Sequence, residues 1–251
     1  LNAAYDSGNG AGQFVFLRVS YASDTFPSGW DAYNFTTRNA ALEGDAPVIN
    51  FTSSVAAIPP DATYTVSGSA VVNVGNEIIV GRENGTGTLN LDGGTVNATK
   101  ISGGTGNATV NFNGGVLTAK RDESNLIENL DVANLAGGGL KIDSNGFNVT
   151  TSQFFTGAGG LEKSGAGQLT LRAPSTYAGT TTVIAGILRV EKTGLNAIVD
   201  ADANTLVAEF AAPTAPGAYR ILPGPLAGSQ TFTATGLGSL QQATFDAQTS
   251  T

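Results

Sequence analysis

Apolar and polar positions alternate along this chain in short runs that keep breaking at glycine or asparagine, and one such unit occurs twice. GTLNLDGGTVNAT begins at Gly87 and ATVNFNGGVLTAK at Ala108. At an offset of 21 residues Leu89 falls on Val110, Leu91 on Phe112 and Asp92 on Asn113. Gly93-Gly94 falls on Gly114-Gly115, Val96 on Leu117 and Ala98 on Ala119. A period of two marks strands with one face buried. Self-similarity at about 20–30 residues marks a solenoid, whose unit cannot bury its own apolar face and stacks on the next. The pattern therefore predicts an all-β chain wound as a parallel β-helix, each coil adding about 4.8 Å along the axis. A β-sandwich would instead need about seven strands at 8–12-residue spacing with no identity between units.

The same alternation extends on both sides. Residues 61–192 read as five or six coils, with strands at Tyr64–Val66, Ala70–Val74, Ile78–Val80 and Thr88–Leu91 separated by Gly or Asn turns. The charged stretch from Arg121 predicts a short helical turn at Glu123–Asn129, after which Leu140, Ile142, Phe147 and Val149 resume the pattern. Residues 1–60 stand outside it. Gln13–Tyr21 is a strand apolar on both faces, followed by a segment carrying Phe26, Trp30, Tyr33, Phe35 and Phe51. This section is expected either to seal one end of the solenoid or to present an aromatic binding face. Residues 193–251 predict an antiparallel β-cap with strands at Leu206–Phe210, Tyr219–Leu222, Thr231–Ala234 and Ala243–Asp246.

Residues 159–190 read GGLEKSGAGQLTLRAPSTYAGTTTVIAGILRV. This stretch resembles the autotransporter-associated β-strand repeat of bacterial passenger domains. Leu161, Lys163, Gly165, Gly167, Leu169 and Leu171 fit its first half, and Tyr177, Gly179, Thr181, Val183, Gly186, Leu188 and Val190 its second. The resemblance implies a right-handed parallel β-helix on a secreted or cell-surface bacterial protein. The Gly-Gly units are similar to repeats of surface proteins with a sorting tail of the PEP-CTERM kind.

Composition narrows the function. Charged residues are only 13% of the chain against 41% hydrophobic, so its surface must be built largely from Thr, Asn, Ser and Gly. A net charge of −8 argues against nucleic acid and anionic lipid as partners. Cysteine and histidine are absent, which removes thiolate chemistry, cysteine-bound zinc and the usual near-neutral acid–base group. No apolar run is long enough to span a membrane. A start at Leu1 rather than Met is what a processed, exported chain would show, and equally a trimmed one.

Candidate chemistry is sparse. A polysaccharide lyase built on a β-helix needs converging carboxylates, yet Glu77, Glu83, Asp92, Asp122, Glu123, Glu128, Asp131 and Asp143 are scattered, and Asp92 stacks on Asn113. Asp200, Asp202 and Asn204 match half of a calcium loop but lack the following Gly (Thr205) and the bidentate Glu (Ala211), and otherwise read as polar positions of a strand. No metal and no cofactor are expected. Asn90 over Asn111, and Asp92 over Asn113, allow side-chain ladders between coils or a plain solvated face. The leading expectation is a non-enzymatic extracellular fibre subunit that assembles with itself, head to tail. Phe14, Val15, Phe16, Leu17 and Val19 would be the added strand. The alternative is an adhesin binding surface polysaccharide through Trp30, Tyr33 and Phe35.

Overall fold

The structure, a computed structural model, describes residues 35–36, 48–50, 55–58, 61–82, 84–192, 195–200, 202, 205–210 and 231–235. It opens with β1 (Phe35–Thr36), β2 (Val48–Asn50) and β3 (Val55–Ile58). Six coils follow. They comprise β4 (Ala62–Asn73) with β5 (Glu77–Val80), β6 (Thr86–Ala98) with β7 (Lys100–Gly103), and β8 (Asn107–Ala119) with β9 (Ile127–Glu128). Then come β10 (Val132–Asp143) with β11 (Val149–Thr151), β12 (Leu161–Ser164) with β13 (Gln168–Leu171), and β14 (Thr181–Val183) with β15 (Ile187–Lys192). Beyond them lie β16 (Leu195–Asp200), β17 (Thr205–Phe210) and β18 (Thr231–Thr235).

Strands pair with their counterparts one coil on, always parallel within the six coils. The largest sheet runs β1-β4-β6-β8-β10-β12-β14, with β2 also on β4. Chain order and sheet order thus coincide at every second strand, as a parallel β-helix requires and a sandwich does not. Leu91 pairs with Phe112, Leu89 with Val110 and Val96 with Leu117, at the offset of 21 residues that the sequence shows. Elsewhere the offset varies, 25 for Val66 and Leu91, 23 for Phe112 and Leu135, and 20 for Leu161 and Thr181. Loops at the corners absorb the difference.

Each long strand supplies two walls. In β6 Leu89 and Leu91 point inward before Gly93-Gly94, and Val96 and Ala98 after it, so the inward parity is reset across the glycines. Gly93 and Gly94 sit at φ +130° and +68°, where a β-carbon is strained, and one on Gly94 would overlap the carbonyl oxygen of Ala70 in the coil beside it. The third wall is β3-β5-β7-β9, continued by β11-β13-β15. Its two parts are joined by Leu126 N–H to the Thr150 carbonyl, 2.8 Å, and Thr150 N–H to the Glu123 carbonyl, 2.8 Å.

Inside, side chains of equivalent positions stack in columns. On the first wall the column is Val66, Leu91, Phe112, Leu135, each fully buried. Ile78, Ile101 and Ile127 form one on the third wall.

Three expectations are corrected. Residues 123–129 form a turn and then β9, not a helical turn, because Leu126 and Ile127 face the core and Glu123 bridges to Val149. The segment after β15 is not purely antiparallel, since β16 and β17 run antiparallel but β18 joins β17 in parallel. The expected strands at Tyr219–Leu222 and Ala243–Asp246 lie outside the described residues. Asp202 lies in the turn between β16 and β17, not on a strand.

Candidate functional site

Three walls give three exteriors with different chemistry. On the first, the outward column Thr65, Asn90, Asn111, Asn134 is tied rung to rung. Asn90 Nδ2 donates to Thr65 Oγ1 at 3.3 Å, Asn111 Nδ2 to Asn90 Oδ1 at 2.9 Å, and Asn134 Nδ2 to Asn111 Oδ1 at 3.1 Å. Beside it Asn113 Nδ2 donates to Asp92 Oδ1 at 3.2 Å, and Asn113 Oδ1 accepts from Gly138 N–H at 2.8 Å. On the other side run Thr63, Thr88, Thr109 and Val132. The ladder that the sequence allowed therefore exists. Asn90 and Asn111 hold each other because parallel in-register strands put identical amides one strand spacing apart.

Removing the middle rung should have a modest effect. Asn111→Ala breaks the bonds to Asn90 and Asn134, which can turn to water because the column is only half buried. A loss of about 1 kcal/mol is expected, read as a lower urea midpoint with an unchanged slope.

The second wall repeats the theme once, with Asn97 Nδ2 donating to Asn73 Oδ1 at 2.6 Å. The third is ionic. Lys100 Nζ lies 2.8 Å from Glu128 Oε1 and 3.3 Å from Glu77 Oε1, and Ser102 Oγ donates to Glu77 Oε1 at 2.6 Å. The hydrogen bond that Lys100 donates to Glu128, with the Glu77 charge and against partial burial, lifts the Lys100 ammonium above its ordinary value. A lysine base needs the opposite shift, so this cluster is a solvated ion ladder rather than acid–base machinery.

The corner between the second and third walls carries a different device. Lys163 occupies the inward column Val72, Val96, Leu117, Ile142, Lys163, Val183, and it is closed to solvent. Its Nζ donates to the carbonyls of Ser164 at 2.8 Å, Gly165 at 2.7 Å and Ala185 at 3.0 Å. Burial pushes the ammonium down to about 8, against the opposing charges of Asp143 and Asp202. The same corner is closed elsewhere by Lys120 Nζ on the carbonyls of Val74, 2.7 Å, and Gly75, 3.4 Å, two coils back. Asn145 Nδ2 meets the Ala119 carbonyl at 3.2 Å. Nearby, the Tyr177 hydroxyl is 2.8 Å from Thr181 Oγ1, and burial pushes it up to about 12.

The motif residues thus have positions. Leu161, Leu169, Leu171, Tyr177, Thr181, Leu188 and Val190 line the interior of the last two coils. Gly167 lies so close to Phe147 of the preceding coil that a β-carbon would overlap the Phe147 carbonyl. Residues 161–190 match the family model described as Passenger-associated-transport-repeat. This segment resembles a passenger-associated transport repeat. It runs from β12 to β15, so the repeat is a pair of stacked coils riveted by Lys163. No curated protein and no solved structure matches the chain. The matched segment and the solenoid around it are similar to the passenger domains of autotransporters.

Of the residues expected at an interface, Phe14, Val15, Phe16, Leu17 and Val19 lie outside the described residues, as do Trp30 and Tyr33. Phe35 opens β1 and pairs in register with Tyr64. Sequence reasoning missed the inward Lys163, whose signal was its place two residues after Leu161 in a period-two run. It also missed the Glu77–Lys100–Glu128 ladder, which the varying coil length hides. Among the described residues no three acidic side chains gather as a metal site.

Proposed function

We propose that this chain is a non-enzymatic structural module, working outside the cell, whose solenoids join end to end into a fibre. The observation that carries this reading is an edge. Among the described residues the largest sheet ends at β14, with no strand on its outer side, whereas the third wall continues past β15 into β16 and β17. A strand edge offers a row of backbone donors and acceptors to any extended segment that reaches it. Gln13–Ser20 carries Val15, Leu17 and Val19 on one face, the alternation that a strand needs to extend the inward columns. In the fibre, Gln13–Ser20 of one copy adds to the sheet that ends at β14 in the next. Val15, Leu17 and Val19 continue the inward columns, and Phe14 and Phe16 lie on the opposite side. Such a contact is heterologous and does not close, so it propagates.

The charged groups of the third wall and of the Lys163 corner are already engaged with one another or with backbone, which favours a structural role. Glu77 and Glu128 are taken up by Lys100, and Lys163 is out of reach of a substrate. The test is the full chain beside a variant lacking residues 1–20, followed by light scattering and negative-stain microscopy over rising concentration. The full chain is expected to polymerise and the shortened one to stay monomeric with the same β-sheet circular dichroism. Fibres of equal length from both would remove the proposal.

A further inference from the structure

Cysteine and methionine are both absent, so the side chains most readily oxidised are missing from the chain. Spontaneous chemistry of another kind remains. Asparagine is followed by glycine at Asn84-Gly85, Asn113-Gly114 and Asn145-Gly146 among the described residues, and at Asn9-Gly10 outside them. A glycine has no β-carbon to hinder its nitrogen and its backbone turns freely, so that nitrogen can reach the amide carbon of the side chain before it. Asn84, Asn113 and Asn145 are all exposed, so access to water does not distinguish them. What differs is how each is held.

Asn113 belongs to a strand and to a side-chain ladder. Its Nδ2 donates to Asp92 Oδ1 at 3.2 Å and its Oδ1 accepts from Gly138 N–H at 2.8 Å, while β8 lies paired between β6 and β10. Asn145 and Gly146 are the central residues of a turn, with φ +52° and +84°, closed by Phe147 N–H on the Ser144 carbonyl at 2.8 Å. The Asn145 N–H also donates to Asp143 Oδ1 at 2.8 Å, and its Nδ2 to the Ala119 carbonyl at 3.2 Å. Ring closure at either site has to break such bonds first. Asn84 stands in the corner between β5 and β6, and no described residue engages its side chain or the Gly85 N–H. Gly85 sits at φ +121°, a region that glycine visits without strain. Its carbonyl accepts from Asn107 N–H at 2.7 Å, a bond in which the attacking nitrogen takes no part.

We propose that Asn84 is a site of spontaneous deamidation, and that the ladder and the turn protect Asn113 and Asn145 from the same reaction. The Gly85 nitrogen gives up its proton to solvent and bonds to the side-chain carbonyl carbon of Asn84, and the amide nitrogen departs as ammonia. Water then opens the five-membered imide at either carbonyl, leaving aspartate or isoaspartate. One water enters and one ammonia leaves, with no oxidant and no cofactor. Either product adds a carboxylate to a chain already at net charge −8. Isoaspartate also lengthens the main chain by one carbon, in the corner that joins the first coil to the second. The modification is separate from the fibre reading, and a copy that stays monomeric undergoes it.

Peptide mapping by mass spectrometry tests this, on the full chain kept in mildly alkaline buffer beside the same chain unfolded in urea. In urea the three pairs should gain mass at similar rates, because the glycine that follows is then all that matters. In the folded chain Asn84 should stay close to its urea rate. Asn113 and Asn145 should slow about tenfold or more, since each has at least two hydrogen bonds to release. Asn84→Gln, which would have to close a six-membered ring, should abolish the gain in its peptide, along with labelling there by an isoaspartyl methyltransferase, while the circular dichroism spectrum is kept. Equal rates at the three pairs in the folded chain would overturn the proposal, as would protection of Asn84 as strong as that of Asn145. A gain in the same peptide that survives Asn84→Gln would overturn it too. Fibre formation is read separately, by microscopy on fresh protein, so either reading can fail alone.

Discussion

Phe112→Ala should destabilise the solenoid by about 3–5 kcal/mol. Phe112 is fully buried at the middle of the column Val66, Leu91, Phe112, Leu135. Its ring meets Phe155 edge to face, with centroids 6.2 Å apart and planes at 77°, a contact that adds about 0.5–1.5 kcal/mol beyond the area buried. The void left by alanine cannot collapse along the axis, because backbone hydrogen bonds between β6, β8 and β10 fix the distance between coils. Phe112→Leu should lose much less, about 1.5 kcal/mol, since leucine is what the column already holds on both sides.

The effect should also be local. In a solenoid the backbone ladders join each coil only to its neighbours, so a defect in one weakens its two interfaces and not the far end. Amide hydrogen exchange should accelerate across β6, β8 and β10 in Phe112→Ala and change little in β13 and β15. Uniform acceleration along the chain would show that the stack opens as one unit and that the columns are not independent.

The stacking was legible in the sequence because its evidence is a comparison of the chain with itself. Leu91 over Phe112 and Gly93-Gly94 over Gly114-Gly115 need no model of the fold beyond an offset. Two other features were not legible, for separable reasons. Glu123–Asn129 carries charges at a spacing that a single helical turn tolerates. Only the neighbouring coil, through Val149 and Thr150, decides that it extends. Lys163 was readable as a motif position and still misleading as a residue. A lysine in an alternating run is expected to face water, and nothing local reveals three carbonyls waiting inside a corner. The asparagine ladder lies between these cases. Its register followed from the offset, but whether amides bond or merely line up depends on side-chain geometry.

Stability should rise with pH above neutrality by up to about 3 kcal/mol, and Lys163→Met should abolish that rise. Burial sets the Lys163 ammonium at about 8 in the folded chain against 10.5 free in water, a difference of about 3 kcal/mol between the two protonation states. Between those values the unfolded chain holds a proton that the folded chain has released, so folding stability climbs with pH across that window and is flat below it. Tyr64 and Tyr177 act in the other direction. Burial raises both hydroxyls, Tyr177 to about 12, so the unfolded chain ionises first and stability falls once pH passes 10. The folded state should therefore be most stable near pH 10.

At pH 7 the methionine variant balances two effects. It leaves the Gly165 and Ala185 carbonyls without the ammonium, at about 1–3 kcal/mol each. It also removes a buried charge from a column that Ile142 and Val183 otherwise keep apolar, which returns about 3 kcal/mol. The net change there is small, about 0–3 kcal/mol of destabilisation, so a single measurement at neutral pH says little about the rivet. The pH series separates the two. Urea unfolding from pH 7 to 11 should show a rising limb followed by a fall for the native chain, and only the fall for Lys163→Met. Parallel profiles would mean that Lys163 keeps its proton through the window, and that its three carbonyls hold the charge strongly enough to cancel the effect of burial.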